Sequence, residues 1–195
     1  QNVNVANFNL PMIGRHNIQN ATSVAVMGLK LGLTTQEIQE GFHTFKGIKR
    51  RQEVLGVKNG VTVIDDFAHH PTAIQLTLEG IKEAYPGQRI WAIIEPRSAT
   101  CKRKVFEDTL PKSITPADLV IIADLFAPDK IDPKDRLNPE LVVENINNNG
   151  GDAYFIPDTE ALINKLITEC RPKDVLLIMS SGGFSGIHQK LIARL

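Results

Sequence analysis

Short apolar runs alternate with helix-like segments along most of this chain, and this pattern limits the folds that it can adopt. The runs lie at residues 61–64, 90–94, 119–123, 153–156 and 175–179. Strands that are apolar throughout are typical of a mostly parallel sheet with both faces covered by helices. With right-handed crossovers, the alternation predicts an α/β, doubly wound, Rossmann-like domain.

A predicted hairpin opens this alternating region. Residues 54–57 and 61–64 are β-like runs on either side of a turn sequence at residues 58–60. The sheet should therefore carry one antiparallel strand at an edge. The predicted helices of the region cover residues 71–84, 102–110, 139–147, 159–170 and 184–195.

The segment before the hairpin, residues 14–45, has a wholly helical pattern. Asn17 is a candidate cap for a first helix, and Gly32 should end that helix. Thr34 or Thr35 can open a second helix. We therefore predict a helical segment in front of the sheet.

The change in pattern predicts a domain boundary near Gly47, between residues 1–47 and residues 48–195. The chain starts at Gln1, with neither an initiator Met nor the basic segment of a signal peptide. We therefore expect it to be a piece of a longer protein.

Composition excludes several classes of partner. Lys and Arg total 22, and so do Asp and Glu, so the balanced charge argues against a nucleic-acid partner. Cys101 and Cys170 lie far apart and form no C-x-x-C motif, so we expect a reducing compartment, with neither disulfides nor a zinc site. No apolar run approaches the roughly 20 residues of a membrane span. The sequence predicts a cytoplasmic protein without a membrane partner.

Ligands of such sheets bind beyond the carboxyl ends of the strands, and the first candidate turn there is residues 65–71. It holds two acids, Asp65 and Asp66, and two imidazoles, His69 and His70. A carboxylate here can accept ribose hydroxyls or bind a metal, and imidazoles can contact anions. The alternative is a helix-capping acid followed by solvent-exposed histidines.

Two further turns and one basic segment are candidates for binding anions. Arg97 follows the strand at residues 90–94 and suits bidentate capture of a carboxylate or phosphate, unless it only pairs with Glu95. Residues 180–186 have the sequence S-S-G-G-F-S-G, whose N–H groups and hydroxyls can bind an anion, although many such turns are only tight connections. Residues 47–53 carry adjacent basic side chains that could hold a polyphosphate or form a solvated linker.

Three segments resemble motifs of the Mur ligases, a family of bacterial cell-wall enzymes. Residues 14–21, G-R-H-N-I-Q-N-A, are similar to the G-x-H-N-x-x-N-A motif that ends the central ATPase domain. Residues 50–53, R-R-Q-E, resemble the arginine element that opens the third domain. Residues 65–71, D-D-F-A-H-H-P, are similar to the D-D-Y-G-H-H-P signature of the UDP-N-acetylmuramate branch. The resemblance covers essentially the whole chain.

The resemblance implies an ATP-dependent amide-bond ligase. ATP would phosphorylate the muramate carboxylate, an amine would displace the phosphate, and Mg2+ would neutralise phosphate charge. The amine belongs either to L-alanine or, in peptidoglycan recycling, to the murein tripeptide L-alanyl-γ-D-glutamyl-meso-diaminopimelate. Residues 67–68, 95–98 and 180–184 look more like the tripeptide enzymes. The L-alanine enzymes usually have Tyr-Gly, Pro-His-Arg-Tyr and Gly-Ala-Gly there.

The same resemblance implies roles for individual residues. Adenine, ribose and the nearby phosphates of ATP would contact Asn17, Asn20, Arg51, Asp66, His69 and His70. Carboxylates of the tripeptide would contact Arg97, Ser98, Ser180, Ser181, Gly182, Gly183 and Phe184. The phosphate loop, the magnesium ligands and the muramate-binding domain of the family are not in this sequence. We therefore expect no metal ligand here and no catalysis by this chain alone.

Two other interpretations follow from the residues. The chain could be a stand-alone module that binds a nucleotide or an acidic peptide without chemistry. A response-regulator-like switch would need an acidic cluster with a Lys at a later strand end, and we find no such arrangement.

Overall fold

The computed structural model describes residues 4–195, so Gln1–Val3 of the first predicted domain lie outside the described residues. These residues form a six-stranded sheet in the order β1-β2-β6-β3-β4-β5. The strands are β1 Glu53–Lys58, β2 Val61–Asp66, β3 Ile90–Ile94, β4 Leu119–Ile122, β5 Ala153–Phe155 and β6 Val175–Met179. The helices are α1 Arg15–Lys30, α2 Thr35–Thr44, α3 Pro71–Ala84, α4 Leu110–Ser113, α5 Pro139–Asn148, α6 Thr159–Glu169 and α7 Ile187–Arg194.

The directions of the strands confirm the predicted fold class. β1 runs antiparallel to β2, whereas β2, β6, β3, β4 and β5 pair in parallel. Asn59 and Gly60 join the hairpin with φ values of 49° and 78°. Two consecutive left-handed residues match the twist of a tight hairpin, which explains why an Asn-Gly pair stands there.

The sheet is buried on both faces because successive side chains of each strand point to opposite sides. On β6, Val175 and Leu177 belong to a core formed with α3, α4 and α5, whereas Leu176 and Ile178 pack with α6 and α7. All four side chains are fully buried. This double burial is the reason for the continuously apolar runs in the sequence.

The two N-terminal helices form a small core of their own. Ala21 and Ala25 of α1 pack against Ile38 and Phe42 of α2. The second helix opens with Thr34 as its cap, because the Thr34 Oγ1 accepts a hydrogen bond from the N–H of Glu37 and the Glu37 carboxylate accepts one from the N–H of Thr34. The predicted opening of this helix is therefore confirmed.

Two glycines set the distance between the N-terminal segment and the sheet layer. A Cβ atom placed on Gly80 of α3 would lie 2.9 Å from the Cα of Gly14, closer than real Cβ contacts come. The backbone preceding α1 therefore rests directly on α3. This contact closes one side of the candidate site described below.

Two predicted helical features are wrong in detail. Residues 102–110 hold only a 3-10 turn at Lys104–Phe106, because Arg103 is extended and forms a bridge with Arg136. Asn17 does not cap α1; it lies inside the helix and its Nδ2 donates to the carbonyl of Ile13 at 2.7 Å.

The last helix begins at Ile187 instead of residue 184. Ser185 and Gly186 have φ values of 49° and 73°, and left-handed residues cannot continue a right-handed helix. None of the helices between residues 4 and 195 combines the length and the apolar content that crossing a bilayer requires.

Candidate functional site

The turns after β2, β3 and β6 lie side by side at the carboxyl edge of the sheet. The N–H of Ser180 donates to the carbonyl of Asp66 at 3.1 Å, and the N–H of Glu95 donates to the carbonyl of Met179 at 3.1 Å. Because these three strands are parallel neighbours, their polar turns necessarily meet at the same edge.

A cavity of about 1130 Å³, the α1 cavity, lies between α1, α3, the end of β2 and the junction segment, residues 47–53. Four residues that the family resemblance assigned to ATP line this cavity: Asn17, Asn20, Arg51 and Asp66. Its other lining residues include His16, Phe45, Ile48, Gln52 and Thr77. The cavity thus combines amides, a carboxylate and a guanidinium with apolar walls.

Two buried atoms in the α1 cavity have no hydrogen-bond partner within residues 4–195, namely His16 Nδ1 and Gln52 Nε2. A buried polar atom left unpaired costs about 1–3 kcal/mol, so a polar ligand or a water molecule that pairs with these atoms would be favoured. His16 and Gln52 stand inside the segments quoted for the resemblance, but no role was assigned to either.

Asp66 is the acidic member of the α1 cavity. Its carboxylate accepts hydrogen bonds from the N–H of Ala68 at 2.7 Å and from the N–H of Gln52 at 2.8 Å. Burial raises the pKa of Asp66, although those two N–H groups and the charge of Arg51 oppose the rise. The carboxylate is therefore held in place with acceptor capacity that a ribose hydroxyl can use.

The two histidines of the same turn do not line the α1 cavity. The Nδ1 of His70 accepts a hydrogen bond from the N–H of Thr72 at 3.3 Å and so caps α3, while its ring packs edge-on against Phe106. The Nδ1 of His69 lies 2.8 Å from the carbonyl of Phe67. A structural role accounts for both positions, and their contact with ATP stays a prediction.

Arg97 lies in a second cluster, between an aromatic ring and a carboxylate. Its Cζ is 3.4 Å from the centroid of Phe126, and its Nη1 is 3.6 Å from Oε1 of Glu95. Three quarters of the side chain is covered, since its exposure is 25%. The ring restrains the guanidinium, and the remaining exposed edge can bind a carboxylate.

The Gly-rich turn, residues 180–183, is built around the same arginine. Glu95 Oε2 accepts a hydrogen bond from Ser180 Oγ at 2.5 Å, and Ser180 Oγ in turn accepts one from the N–H of Gly182 at 2.9 Å. A Cβ atom on Gly182 would lie only 1.8 Å from Nε of Arg97. Close approach of the arginine is therefore the reason for a glycine at this position.

The predicted substrate residues divide into accessible and internal ones. Arg97, Ser181, Gly182 and Gly183 keep accessible surface beside the turn, whereas Ser180 and Phe184 are buried. Ser98 Oγ accepts a hydrogen bond from the N–H of Cys101 at 3.1 Å and holds its own turn. Their roles toward a substrate stay predictions. Phe126 was missed, because a single aromatic residue in a loop carries no sequence signal.

Within residues 4–195, no three His, Cys, Asp or Glu side chains come close enough together to hold a metal ion. The carboxylate of Asp66 is committed to backbone N–H groups, and that of Glu95 to Ser180 and Arg97.

Comparison with known proteins identifies the family of this chain. Residues 50–182 match the model of the Mur ligase, glutamate ligase domain. A UDP-N-acetylmuramate–L-alanine ligase of Acetivibrio thermocellus is 33% identical over 182 residues, which are 93% of this chain and 38% of that protein. A UDP-N-acetylmuramate–L-alanyl-γ-D-glutamyl-meso-2,6-diaminoheptandioate ligase of Haemophilus influenzae is 33% identical over 192 residues, 98% of this chain and 40% of that protein.

A solved structure agrees with these relatives. The crystal structure of a murein peptide ligase from Psychrobacter arcticus superposes with a TM-score of 0.72 at 35% identity, covering 96% of this chain and 38% of that one. This chain thus spans about two fifths of the length of the relatives that it matches. Members of the matched family are ATP-dependent ligases that act on UDP-muramate substrates. The chain belongs to the Mur ligase family.

Proposed function

We propose that this chain is the C-terminal part of an ATP-dependent ligase that joins UDP-N-acetylmuramate to the murein tripeptide L-alanyl-γ-D-glutamyl-meso-diaminopimelate. Residues 1–47 would end the central ATPase domain, and residues 48–195 would form the substrate-binding domain. The enzyme would recycle peptidoglycan fragments in the bacterial cytoplasm. Its ligands would be the tripeptide, the muramate nucleotide, ATP and Mg2+.

The contact of Arg97 with the Gly-rich turn is the single observation that carries the proposal. A guanidinium held against Phe126 at 3.4 Å presents fixed N–H donors at the carboxyl edge of the sheet. Beside it, the backbone of Gly182 and Gly183 is free of side chains. A planar donor next to bare backbone suits a carboxylate, which an acidic peptide supplies.

The charges around Arg97 favour a peptide with several carboxylates over a single amino acid. Lys102 is buried beside it, and its ammonium donates to the carbonyl of Phe126 at 2.8 Å. Burial lowers the pKa of Lys102, and so do the neighbouring cations Lys130 and Arg97. Arg97 pairs with Glu95, so the cations beyond that pair are Lys102 and Lys130, and they suit the tripeptide, which has more carboxylates than L-alanine.

The α1 cavity would receive the adenosine part of ATP. His16 and Gln52 offer buried polar atoms that lack a partner within the described residues, and Asp66 offers an acceptor for a ribose hydroxyl. Residues that bind the phosphates and magnesium would come from the rest of the enzyme. Within this chain, the residues bind and orient two substrates, which lowers the entropic cost of bringing amine and acyl group together.

The test is acceptor-dependent phosphate release by the complete ligase that contains this chain. With UDP-N-acetylmuramate and ATP, we expect the tripeptide to give a kcat/KM about a hundred-fold or more above that of L-alanine. Arg97→Ala should raise the KM for the tripeptide much more than the KM for ATP, whereas the exposed Arg103→Ala should change neither. The 195-residue chain by itself should neither hydrolyse ATP nor form an amide.

An L-alanine ligase is the second candidate, because relatives of that name are as similar to this chain as the tripeptide ligase is. A higher kcat/KM for L-alanine than for the tripeptide would establish it and refute our proposal. The absence of phosphate release with either acceptor would instead indicate a binding module without chemistry.

A further inference from the structure

Arg50 occupies a strained position in the junction segment. Its φ value is 61°, in the left-handed region that non-glycine residues rarely adopt, and Gln52 has a φ of 50°. Each left-handed residue of this kind raises the free energy of the fold by roughly 1–3 kcal/mol. Such residues persist only where surrounding contacts hold them. Contacts elsewhere in the chain must therefore hold Arg50 in this conformation.

The contacts of Arg50 lead away from the α1 cavity and toward the Gly-rich turn. Its Nη2 donates to the carbonyl of Ser180 at 2.6 Å and to the carbonyl of Gly182 at 2.7 Å. Its Nε donates to Oδ2 of Asp65 at 3.2 Å. One guanidinium thus connects the junction segment, β2 and the turn after β6.

The Asp65 side chain that pairs with Arg50 also faces α7. Asp65 is buried, and its second oxygen lies 3.1 Å from Nε2 of His188, but the two atoms make no hydrogen bond. Arg50, Asp65, Gly182 and His188 line a second cavity, of about 500 Å³. It lies on the α7 side of β2, because Asp65 and Asp66 point to opposite faces of the strand.

Arg50 and Arg51 divide the junction segment between the two sites. Arg51 lines the α1 cavity, whereas Arg50 does not. Both guanidinium groups lie close to the ring of Phe67, at 5.3 Å for Arg50 and 5.1 Å for Arg51. The side chain of Arg50 contacts the turn and does not line the α1 cavity, so a change at Arg50 can alter the turn and leave the lining of the α1 cavity in place.

We propose that Arg50 is a positioning residue for the amine-bearing substrate. It touches no substrate itself; it fixes the carbonyls of Ser180 and Gly182, so that the backbone of the turn faces Arg97 in one arrangement. Opposite sides of Gly182 are thereby held by two arginines, Arg50 at the carbonyl and Arg97 at the Cα. The effect on substrate affinity rests on the proposed function, whereas the effect on the turn does not.

Arg50→Lys separates this role from the ion pair. The lysine ammonium would stand near the place of the arginine Cζ, close enough to pair with Asp65 but one bond short of the two carbonyls. Asp65→Asn has the opposite effect. It removes the ion pair, while Arg50 can still donate to the carbonyls of Ser180 and Gly182. Deleting the charge at residue 50 outright would strand Asp65 as a buried, unpaired carboxylate, so that change tests folding more than positioning.

The first measurement is hydrogen exchange of the N–H groups of residues 181–183 in the 195-residue chain. We expect exchange there to become about ten-fold faster in Arg50→Lys, while Asp65→Asn stays within about two-fold of the wild type. Unchanged exchange in Arg50→Lys would overturn the proposal. So would equal acceleration in both variants, because the ion pair would then be what orders the turn.

The second measurement is binding by the complete enzyme, with the tripeptide and ADP titrated separately. In Arg50→Lys, we expect the Kd for the tripeptide to rise about ten-fold and the Kd for ADP to stay within about two-fold. An unchanged tripeptide Kd, or an equal loss for both ligands, would contradict a positioning role. If the wild type bound no tripeptide, the proposed function would fail, and the exchange measurement would still decide the role of Arg50 in the turn.

Discussion

The side chain of Arg97 fills the space that any side chain at Gly182 would need. A Cβ on Gly182 would come within 1.8 Å of Nε and 2.2 Å of Cδ of the arginine. The ring of Phe126 stands against the arginine as well, so a side chain at Gly182 would push the guanidinium off this ring toward its exposed edge. A glycine and an arginine from the turns after two different strands thus lie in direct contact, and we propose that they bind an anion together.

Gly182→Ala should therefore impair substrate binding through Arg97. We expect the Kd for the tripeptide to rise about ten-fold or more, since a displaced guanidinium loses a charge-assisted hydrogen bond of about 1.5–3 kcal/mol. Calorimetric titration of the complete enzyme measures this Kd. The control is Gly41→Ala in α2, where a Cβ meets nothing within 4 Å, which should leave binding unchanged and stabilise the helix by about 0.5–1 kcal/mol. Unchanged tripeptide affinity in Gly182→Ala would show that the two residues do not act together.

Asp66→Asn should weaken nucleotide binding. An amide can accept through only one oxygen, so it cannot keep both N–H bonds, from Gln52 and Ala68, and also accept from a ribose hydroxyl. We expect the Kd for ADP to rise about ten-fold, with the tripeptide Kd within about two-fold of the wild type. The exposed Asp108→Asn serves as the matched control. Equal ADP affinities of Asp66→Asn and the wild type would show that Asp66 does not bind the nucleotide.

Asp174 joins three segments at the amino end of the sheet, away from the candidate site. Its carboxylate accepts hydrogen bonds from Arg89 Nη2 at 2.6 Å, from Trp91 Nε1 at 2.9 Å and from the N–H of Arg171 at 3.0 Å. Burial raises the pKa of Asp174, but these donors lower it by more, so it lies below the ordinary value of 3.8.

Asp174→Asn should lower the free energy of unfolding by about 2–3 kcal/mol at neutral pH, as loss of a buried charged acceptor does. The folded pKa lies below the unfolded one, so this stabilisation is complete above about pH 4 and is lost as the pH falls through the folded pKa. Urea unfolding between neutral and acidic pH should show a smaller acid-induced decline in the variant. Identical pH dependence in both proteins would contradict the role of Asp174.

The two cysteines should differ in reactivity. Cys101 is fully buried, and burial raises the pKa of its thiol to about 12, whereas Cys170 is only partly buried. Because the thiolate is the reactive form, a thiol reagent at about pH 8 should modify Cys170 first and reach Cys101 only on unfolding. Mass spectrometry of the modified peptides locates the label. Early labelling of Cys101 would mean that its surroundings open readily.

Local sequence patterns were enough to predict the layers of the fold. The apolar runs of β3 and β6 predict strands because both of their faces are buried, and the Asn59-Gly60 pair predicts the hairpin. The motif at residues 65–71 marks the end of β2. In each case, the residues that form the sequence pattern are also the residues that form the buried strand or the turn.

The remaining errors come from contacts distant in sequence. Arg103 is extended instead of helical because it bridges to Arg136, far along the chain. His70 caps α3 although imidazole is an uncommon cap, so the pair of histidines suggested ligand contacts instead. The position of Phe126 over Arg97 depends on the packing of two loops, which no local pattern encodes.

The most direct test of two adjoining binding sites at the carboxyl edge is an NMR titration of the isotope-labelled 195-residue chain. ADP should shift the amide signals of Asn20, Arg51 and Asp66, and the tripeptide should shift those of Arg97 and Gly182. We predict two distinct sets of shifted signals, from residues that adjoin at the carboxyl end of the sheet. Shifts by both ligands at one common set, or by the tripeptide only at residues away from the Gly-rich turn, would contradict it.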